Sequence, residues 1–125
     1  MGTLRADMQL FAVGASHKSC SLSVLEQLSR KWGSGSAIAL GNMRNALNGQ
    51  AGELCVLSTC NRYEVYGTGR PGTQEKVRER LAGSLPGLMG DDGAFYVLEN
   101  AEAIYHAFSV ASGLDSMVVG EGEIL

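Results

Sequence analysis

The apolar residues of this chain switch repeatedly between unbroken runs and helical spacing, and the order of those switches limits the fold more than any bulk property. Leu10-Phe11-Ala12-Val13, inside Gln9 to Ala15, is an unbroken run bounded by Gly14 and reads as a buried strand. A polar turn, His17 to Ser21, follows. Leu22, Leu25, Leu28 and Trp32 then recur at the spacing of one helix face. Ser21 or Ser23 would cap that helix, with Glu26 three residues after Ser23 as in a capping box. Gly33 to Ser36 breaks the chain, after which Leu40, Met43 and Leu47 mark a second helix ending at Asn48-Gly49.

Glu53 to Leu57 is the next strand. Strand character resumes from Tyr63 to Tyr66, so the two form an antiparallel unit with Cys60 at its corner. Thr73 to Leu85 is a charged helix with Val77, Leu81 and Leu85 facing inward, and Ala94 to Leu98 makes a fourth strand. Asn100 is placed as the N-cap of a last helix whose apolar face is Ala101, Ile104, Tyr105, Phe108 and Ala111. The order β-α-α-β-β-α-β-α predicts an α+β fold of the ferredoxin-like plait type. That means a four-stranded antiparallel sheet with its helices packed on one face.

A length of 125 residues, 45% of them hydrophobic, supports one domain with a modest core and not two. Three cysteines at irregular spacing argue against a disulfide framework and fit a reducing compartment. Neither a signal-peptide core nor a bilayer-length apolar stretch stands out, so a soluble, cytoplasmic protein is expected. A formal charge of −3 argues against a dedicated nucleic-acid-binding module, because phosphate contacts normally need a basic surface; any RNA contact must be local.

Ser58-Thr59-Cys60-Asn61-Arg62-Tyr63-Glu64 carries the chemistry. It sets a cysteine where the apolar run Leu54-Cys55-Val56-Leu57 gives way to polar residues, and a thiol there has a rigid base and an open face. Cys55, inside the run, and Cys20, in a serine-rich turn, have ordinary explanations as small hydrophobes. His106 lies two residues from Ile104, a turn of roughly 200°, which predicts that it points away from the buried face. His17 is equally placed as an exposed or capping residue, so a Cys–His pair stays open. Arg62 fits either an anion site or an ion pair with Glu64 or Glu121. Gly120-Glu121-Gly122 is only a piece of the G-x-G-x-x-G pattern, and no nicotinamide site is expected.

Several long motifs in order resemble the N-terminal catalytic domain of the glutamyl-tRNA reductase family. They are Gly14-Ala15-Ser16-His17-Lys18, Ser58 to Glu64, the His106 helix running into Ala111-Ser112-Gly113-Leu114-Asp115-Ser116, and Gly120-Glu121-Gly122-Glu123-Ile124-Leu125. The resemblance implies that the Cys60 thiolate attacks the ester joining glutamate to its tRNA. The resulting thioester is then reduced by NADPH to glutamate-1-semialdehyde, a tetrapyrrole precursor. A thioester suits that reduction because it lacks the ester's resonance donation into its carbonyl.

By the same resemblance, Thr59, Asn61 and Arg62 contact the glutamyl group, with the Arg62 fork on its carboxylate. Ser116, Glu121, Gly122 and Glu123 line the substrate pocket, and His106 serves activity through proton transfer. Glu123 departs from the family's usual Gln, exchanging an amide for an anion. NADPH is held by a separate domain and no metal is implied. The chain is expected to be a single catalytic domain, residues 1–125, with the NADPH and dimerisation domains outside it. The full enzyme would be a homodimer that contacts the downstream glutamate-1-semialdehyde aminomutase, in the cytoplasm or, in a plant, the plastid stroma. A non-enzymatic ferredoxin-like interaction module and a Cys/His acyltransferase or thioesterase are the alternatives.

Overall fold

In the computed structural model, which describes residues 7–33, 36–85 and 94–113, the elements alternate as the apolar pattern demands. They are β1 (Gln9–Ser16), α1 (Leu22–Trp32), α2 (Ser36–Leu47), β2 (Ala51–Ser58), β3 (Arg62–Gly69), α3 (Thr73–Gly83), β4 (Tyr96–Glu99) and α4 (Ala101–Ala111). The strands form one antiparallel sheet in the order β2-β3-β1-β4. Val13 of β1 sits between Val65 of β3 and Val97 of β4, which fixes the register at the centre.

Strand side chains alternate between the two faces, so register alone sorts them. Phe11, Val13 and Ala15 of β1, Leu54 and Val56 of β2, and Tyr63 and Val65 of β3 share one face. There they pack against Leu25 and Leu28 of α1, Ala39, Met43 and Leu47 of α2, and Val77 and Leu81 of α3. Fully burying a side chain such as Leu28 or Val65 contributes about 1.5–3 kcal/mol relative to leaving it exposed. The helical stripes of α1, α2 and α3 therefore hold this face as the spacing predicted, although Leu22 lies largely in solvent.

The caps differ in detail from the sequence reading. Ser21 is the N-cap of α1, its Oγ accepting from the Val24 N–H at 3.4 Å, so Ser23 and Glu26 form no capping box. α2 ends at Asn48 and Gly49, whose φ values of 54° and 78° are left-handed and turn the chain into β2. Asn100 does not cap α4 with its side chain. Its Oδ1 accepts from the Leu10 N–H at 3.2 Å while its own N–H donates to the Leu10 carbonyl at 2.8 Å, extending the β1–β4 edge.

α4 overturns two expectations. It lies on the sheet face opposite α1, α2 and α3, so the helices do not all pack on one face: its His106 meets Glu64, which alternation places opposite Tyr63 and Val65. The stripe Ile104, Tyr105 and Phe108 is 45%, 74% and 71% exposed, whereas Ala103 and Val110 are buried. The physical cause is the polar character of that sheet face. It holds a buried carboxylate that an imidazole can satisfy and an isoleucine cannot. Among the described residues, no helix is long and apolar enough to cross a membrane.

Candidate active site

The β2–β3 hairpin turns through Cys60 and Asn61, and its tip is held from three sides. The Thr59 N–H donates to the Arg62 carbonyl at 2.9 Å, the Asn61 N–H to Thr59 Oγ1 at 3.1 Å, and the His17 N–H to the Asn61 carbonyl at 2.9 Å. These bonds fix the backbone of Cys60 while its side chain stays exposed. Its Sγ lies 3.7 Å from Asn61 Oδ1. Beside it is a cleft of about 380 Å³ bounded by Leu22, Leu25, Glu26 and Ser29 of α1 and by Ser58 and Thr59.

From Arg62 onward, alternation sends Arg62, Glu64 and Tyr66 to the sheet face that α4 covers. Glu64 is fully buried there and gathers four donors. The Tyr66 hydroxyl donates to Oε1 at 2.7 Å. Oε2 accepts from the Tyr96 hydroxyl at 2.5 Å and from Arg62 Nη1 at 3.2 Å, and His106 Nε2 lies 2.5 Å from it. The His106 ring also packs against Tyr96, with centroids 5.3 Å apart and planes tilted by 59°. Gly14 makes room for this cluster: a Cβ there would come within 2.4 Å of the Tyr63 carbonyl and 2.8 Å of Glu64 Cγ.

The electrostatics favour an ionised Glu64. Burial pushes its carboxyl upward, but the hydrogen bonds with His106, Tyr96 and Tyr66, and the charge of His106, outweigh burial and hold it below its ordinary value. Burial, together with the charge of Glu64 and the hydrogen bond to it, raises Tyr66 and Tyr96 far above the usual phenol range, so both remain donors. An ionised carboxylate this close to His106 Nε2 calls for a hydrogen on that nitrogen.

The residues singled out in the sequence thus divide. Thr59, Cys60 and Asn61 form the hairpin tip, and Arg62 and His106 meet at Glu64, the first as the ion pair its alternative reading foresaw. Among the described residues no hydrogen bond joins Cys60 to His106. The hollow beside His106, lined also by Leu98, Tyr105 and Ser109, shares no residue with the Cys60 cleft. Ser116, Glu121, Gly122 and Glu123 lie outside the described residues. Sequence reasoning passed over Glu64, Tyr66 and Tyr96 as site residues. The alternation of Arg62, Glu64 and Tyr66 with Tyr63 and Val65 was the available signal.

The described residues do not fit a nicotinamide cofactor. Gly67-Thr68-Gly69-Arg70-Pro71-Gly72 spells the G-x-G-x-x-G pattern between β3 and α3, yet Gly67 and Gly69 lie within an antiparallel strand, paired with Phe11 and Gln9. A Cβ at Gly67 would sit 2.6 Å from the Glu53 carbonyl, and one at Gly69 would sit 2.6 Å from Thr73 Oγ1. These glycines serve close packing, whereas the dinucleotide fingerprint opens a parallel βαβ crossover. Among the described residues no group of three His, Cys, Asp or Glu could hold a metal ion.

Fold and site together define a small α+β domain that presents a cysteine at a hairpin tip beside a buried Arg–Glu–His cluster. The family model described as "Glutamyl-tRNAGlu reductase, N-terminal domain" matches residues 13–125, and the chain belongs to that family. A glutamyl-tRNA reductase of Thermus thermophilus is 42% identical over 120 residues, and one of Neisseria meningitidis serogroup B is 43% identical over 122. Each alignment covers 94% of this chain, but only 26% and 27% of the relative. Among solved structures, "Glutamyl-tRNA Reductase from Methanopyrus kandleri" aligns with a TM-score of 0.65 and 32% identity over 92% of this chain and 25% of that one. The chain therefore spans about a quarter of the length of the curated relatives it matches.

Proposed function

We propose that this domain performs the acyl-transfer half of an NADPH-dependent glutamyl-tRNA reductase, with Cys60 as nucleophile. The observation that carries the reading is the position of Cys60: exposed, on a tip whose backbone is fixed, two residues before Arg62 on the same chain segment. In the step proposed, Cys60 Sγ bonds to the glutamyl carbonyl carbon. The bond from that carbon to the ribose oxygen of tRNA breaks, and the departing oxygen takes up a proton. Thr59, Asn61 and Arg62 hold the glutamyl group, with Ser116, Glu121, Gly122 and Glu123 completing the pocket. His106 serves proton transfer.

Hydride from NADPH belongs to polypeptide beyond these residues, and the product of the whole enzyme is glutamate-1-semialdehyde. The reading extends to a homodimeric enzyme that contacts the downstream aminomutase, in the cytoplasm or in a plastid. We also read the sheet as a ferredoxin-like plait, on its β2-β3-β1-β4 order and its β-α-α-β-β-α-β path, in which two helices stand at the first crossover, with α4 added on the second face.

The test is deacylation of glutamyl-tRNA by the chain and by its Cys60→Ser variant, at low salt to favour tRNA binding. The reading expects slow, NADPH-independent release of glutamate that the variant loses. Equal release by both would remove covalent catalysis by Cys60.

A further inference from the structure

Three residues on the second face stand in one row across the sheet. Glu64 of β3 and Tyr96 of β4 are both paired with Gly14 of β1, so the row runs Glu64, Gly14, Tyr96. Neighbouring strands lie about 4.8 Å apart, which sets the two outer residues of the row about 10 Å apart at the backbone. A tyrosine can bridge that gap because the middle residue has no side chain: a Cβ at Gly14 would lie 2.8 Å from Glu64 Cγ. The Tyr96 hydroxyl accordingly crosses the glycine and donates to Glu64 Oε2 at 2.5 Å.

His106 depends on that bridge for its place. α4 brings Ala103 and Val110 to burial, while its larger apolar residues Ile104, Tyr105 and Phe108 are exposed. Two short side chains make few contacts and fix the rotation of a helix loosely, because dispersion grows with the number of atoms in contact. The imidazole is therefore located by its polar and aromatic neighbours. Its Nε2 lies 2.5 Å from Glu64 Oε2, and its ring packs against Tyr96 with centroids 5.3 Å apart. Arg62 and Tyr66 bond to the Glu64 carboxylate, Tyr66 through the other oxygen. Tyr96 holds both members of the pair: it bonds to the oxygen that faces His106 and it packs against the His106 ring.

We propose that Tyr96 is a positioning residue for the acyl transfer read onto Cys60: its hydroxyl and its ring together hold Glu64 Oε2 and the His106 imidazole in one geometry, from which His106 moves a proton. This role depends on the reading of Cys60 as nucleophile and His106 as proton carrier. The effect of Tyr96 passes through His106, and a misplacement of about 1 Å in a reacting group costs on the order of a hundredfold in rate.

A double-mutant cycle tests this. The chain, in excess, is mixed with glutamyl-tRNA at low salt, and two quantities are measured: the rate constant for release of tRNA from its glutamate, and the chain concentration that gives half of it. Wild type is compared with Tyr96→Phe, His106→Gln and the double variant, with Cys60→Ser alongside. Tyr96→Phe should slow release on the order of tenfold to a hundredfold and leave the half-saturating concentration unchanged, and the double variant should be no slower than His106→Gln. Losses that multiply in the double variant, a wild-type rate in Tyr96→Phe, or a change confined to the half-saturating concentration would each overturn the proposal while Cys60 kept its role. Release by Cys60→Ser as fast as by wild type would bring down the reading of Cys60, and the role of Tyr96 with it. NMR of the unmodified chain keeps the test sound if a variant misfolds: the Nε2 proton of His106 should exchange slowly with water and lie close to the Tyr96 ring. A His106 ring that shows neither would also overturn the proposal.

Discussion

The two faces of one sheet are built on opposite principles. The face under α1, α2 and α3 is held by apolar volume, with Leu28, Met43, Val65 and Val77 wholly buried. The face under α4 is held at its centre by a single carboxylate, Glu64, with Arg62, Tyr66, Tyr96 and His106 around it. Apolar packing tolerates a swap of similar volume, whereas a buried ionic cluster tolerates no missing partner. The face that holds Arg62, Glu64 and His106 is therefore the more brittle one.

Glu64→Gln breaks the comparison hardest. It replaces with an amide a fully buried carboxylate on which Arg62, Tyr66, Tyr96 and His106 converge, at an expected cost of about 3–5 kcal/mol in urea unfolding. It also removes an acid-sensitive term. Because the folded-state pKa of Glu64 lies below its ordinary value, its contribution is complete above that ordinary value and is lost as pH falls through the depressed one. The stability gap between wild type and Glu64→Gln should accordingly narrow toward acid pH. A gap that widened there would contradict the ionised cluster.

Leu28→Ala on the apolar face should cost about 2–5 kcal/mol by the same measurement, with little dependence of that cost on pH. Tyr96→Phe removes one donor from a charged acceptor and keeps the ring against His106, for about 1.5–3 kcal/mol. Its sharper consequence is spectroscopic: the ring-nitrogen NMR signals of His106 should shift, and a variant that left them unmoved would detach Tyr96 from the cluster. Tyr105→Ser, on the exposed flank of α4, should stay within about 0.5 kcal/mol of wild type, and a larger loss would mean that Tyr105 is packed.

The contrast also explains what could be read from the sequence. The strands at Gln9, Glu53 and Tyr63 and the stripes at Leu25, Leu28, Met43, Leu47, Val77 and Leu81 were legible because burial on the first face obeys simple periodicity. The orientation of α4 was not. Ile104, Tyr105 and Phe108 form the more apolar stripe, and a reading from hydrophobicity buries it by default. Only the pairing of β1 with β3 and β4 shows that Glu64 and Tyr96 look onto one face and draw His106 to it. Cys60 was legible as a polar corner, while the bonds that hold its tip, from His17 across to Asn61, depend on a long-range pairing that no local pattern encodes.

The central claim is that the hairpin tip carries the nucleophile, and an acyl-enzyme trap tests it most directly. The chain is mixed with tRNA charged with labelled glutamate, quenched in acid, digested and mapped by mass spectrometry. The account predicts label on the peptide containing Cys60, released by hydroxylamine as a thioester is, and absent from the Cys60→Ser variant. Label on Cys20 or Cys55, or deacylation of the tRNA with no label on Cys60 at any time point, would contradict it.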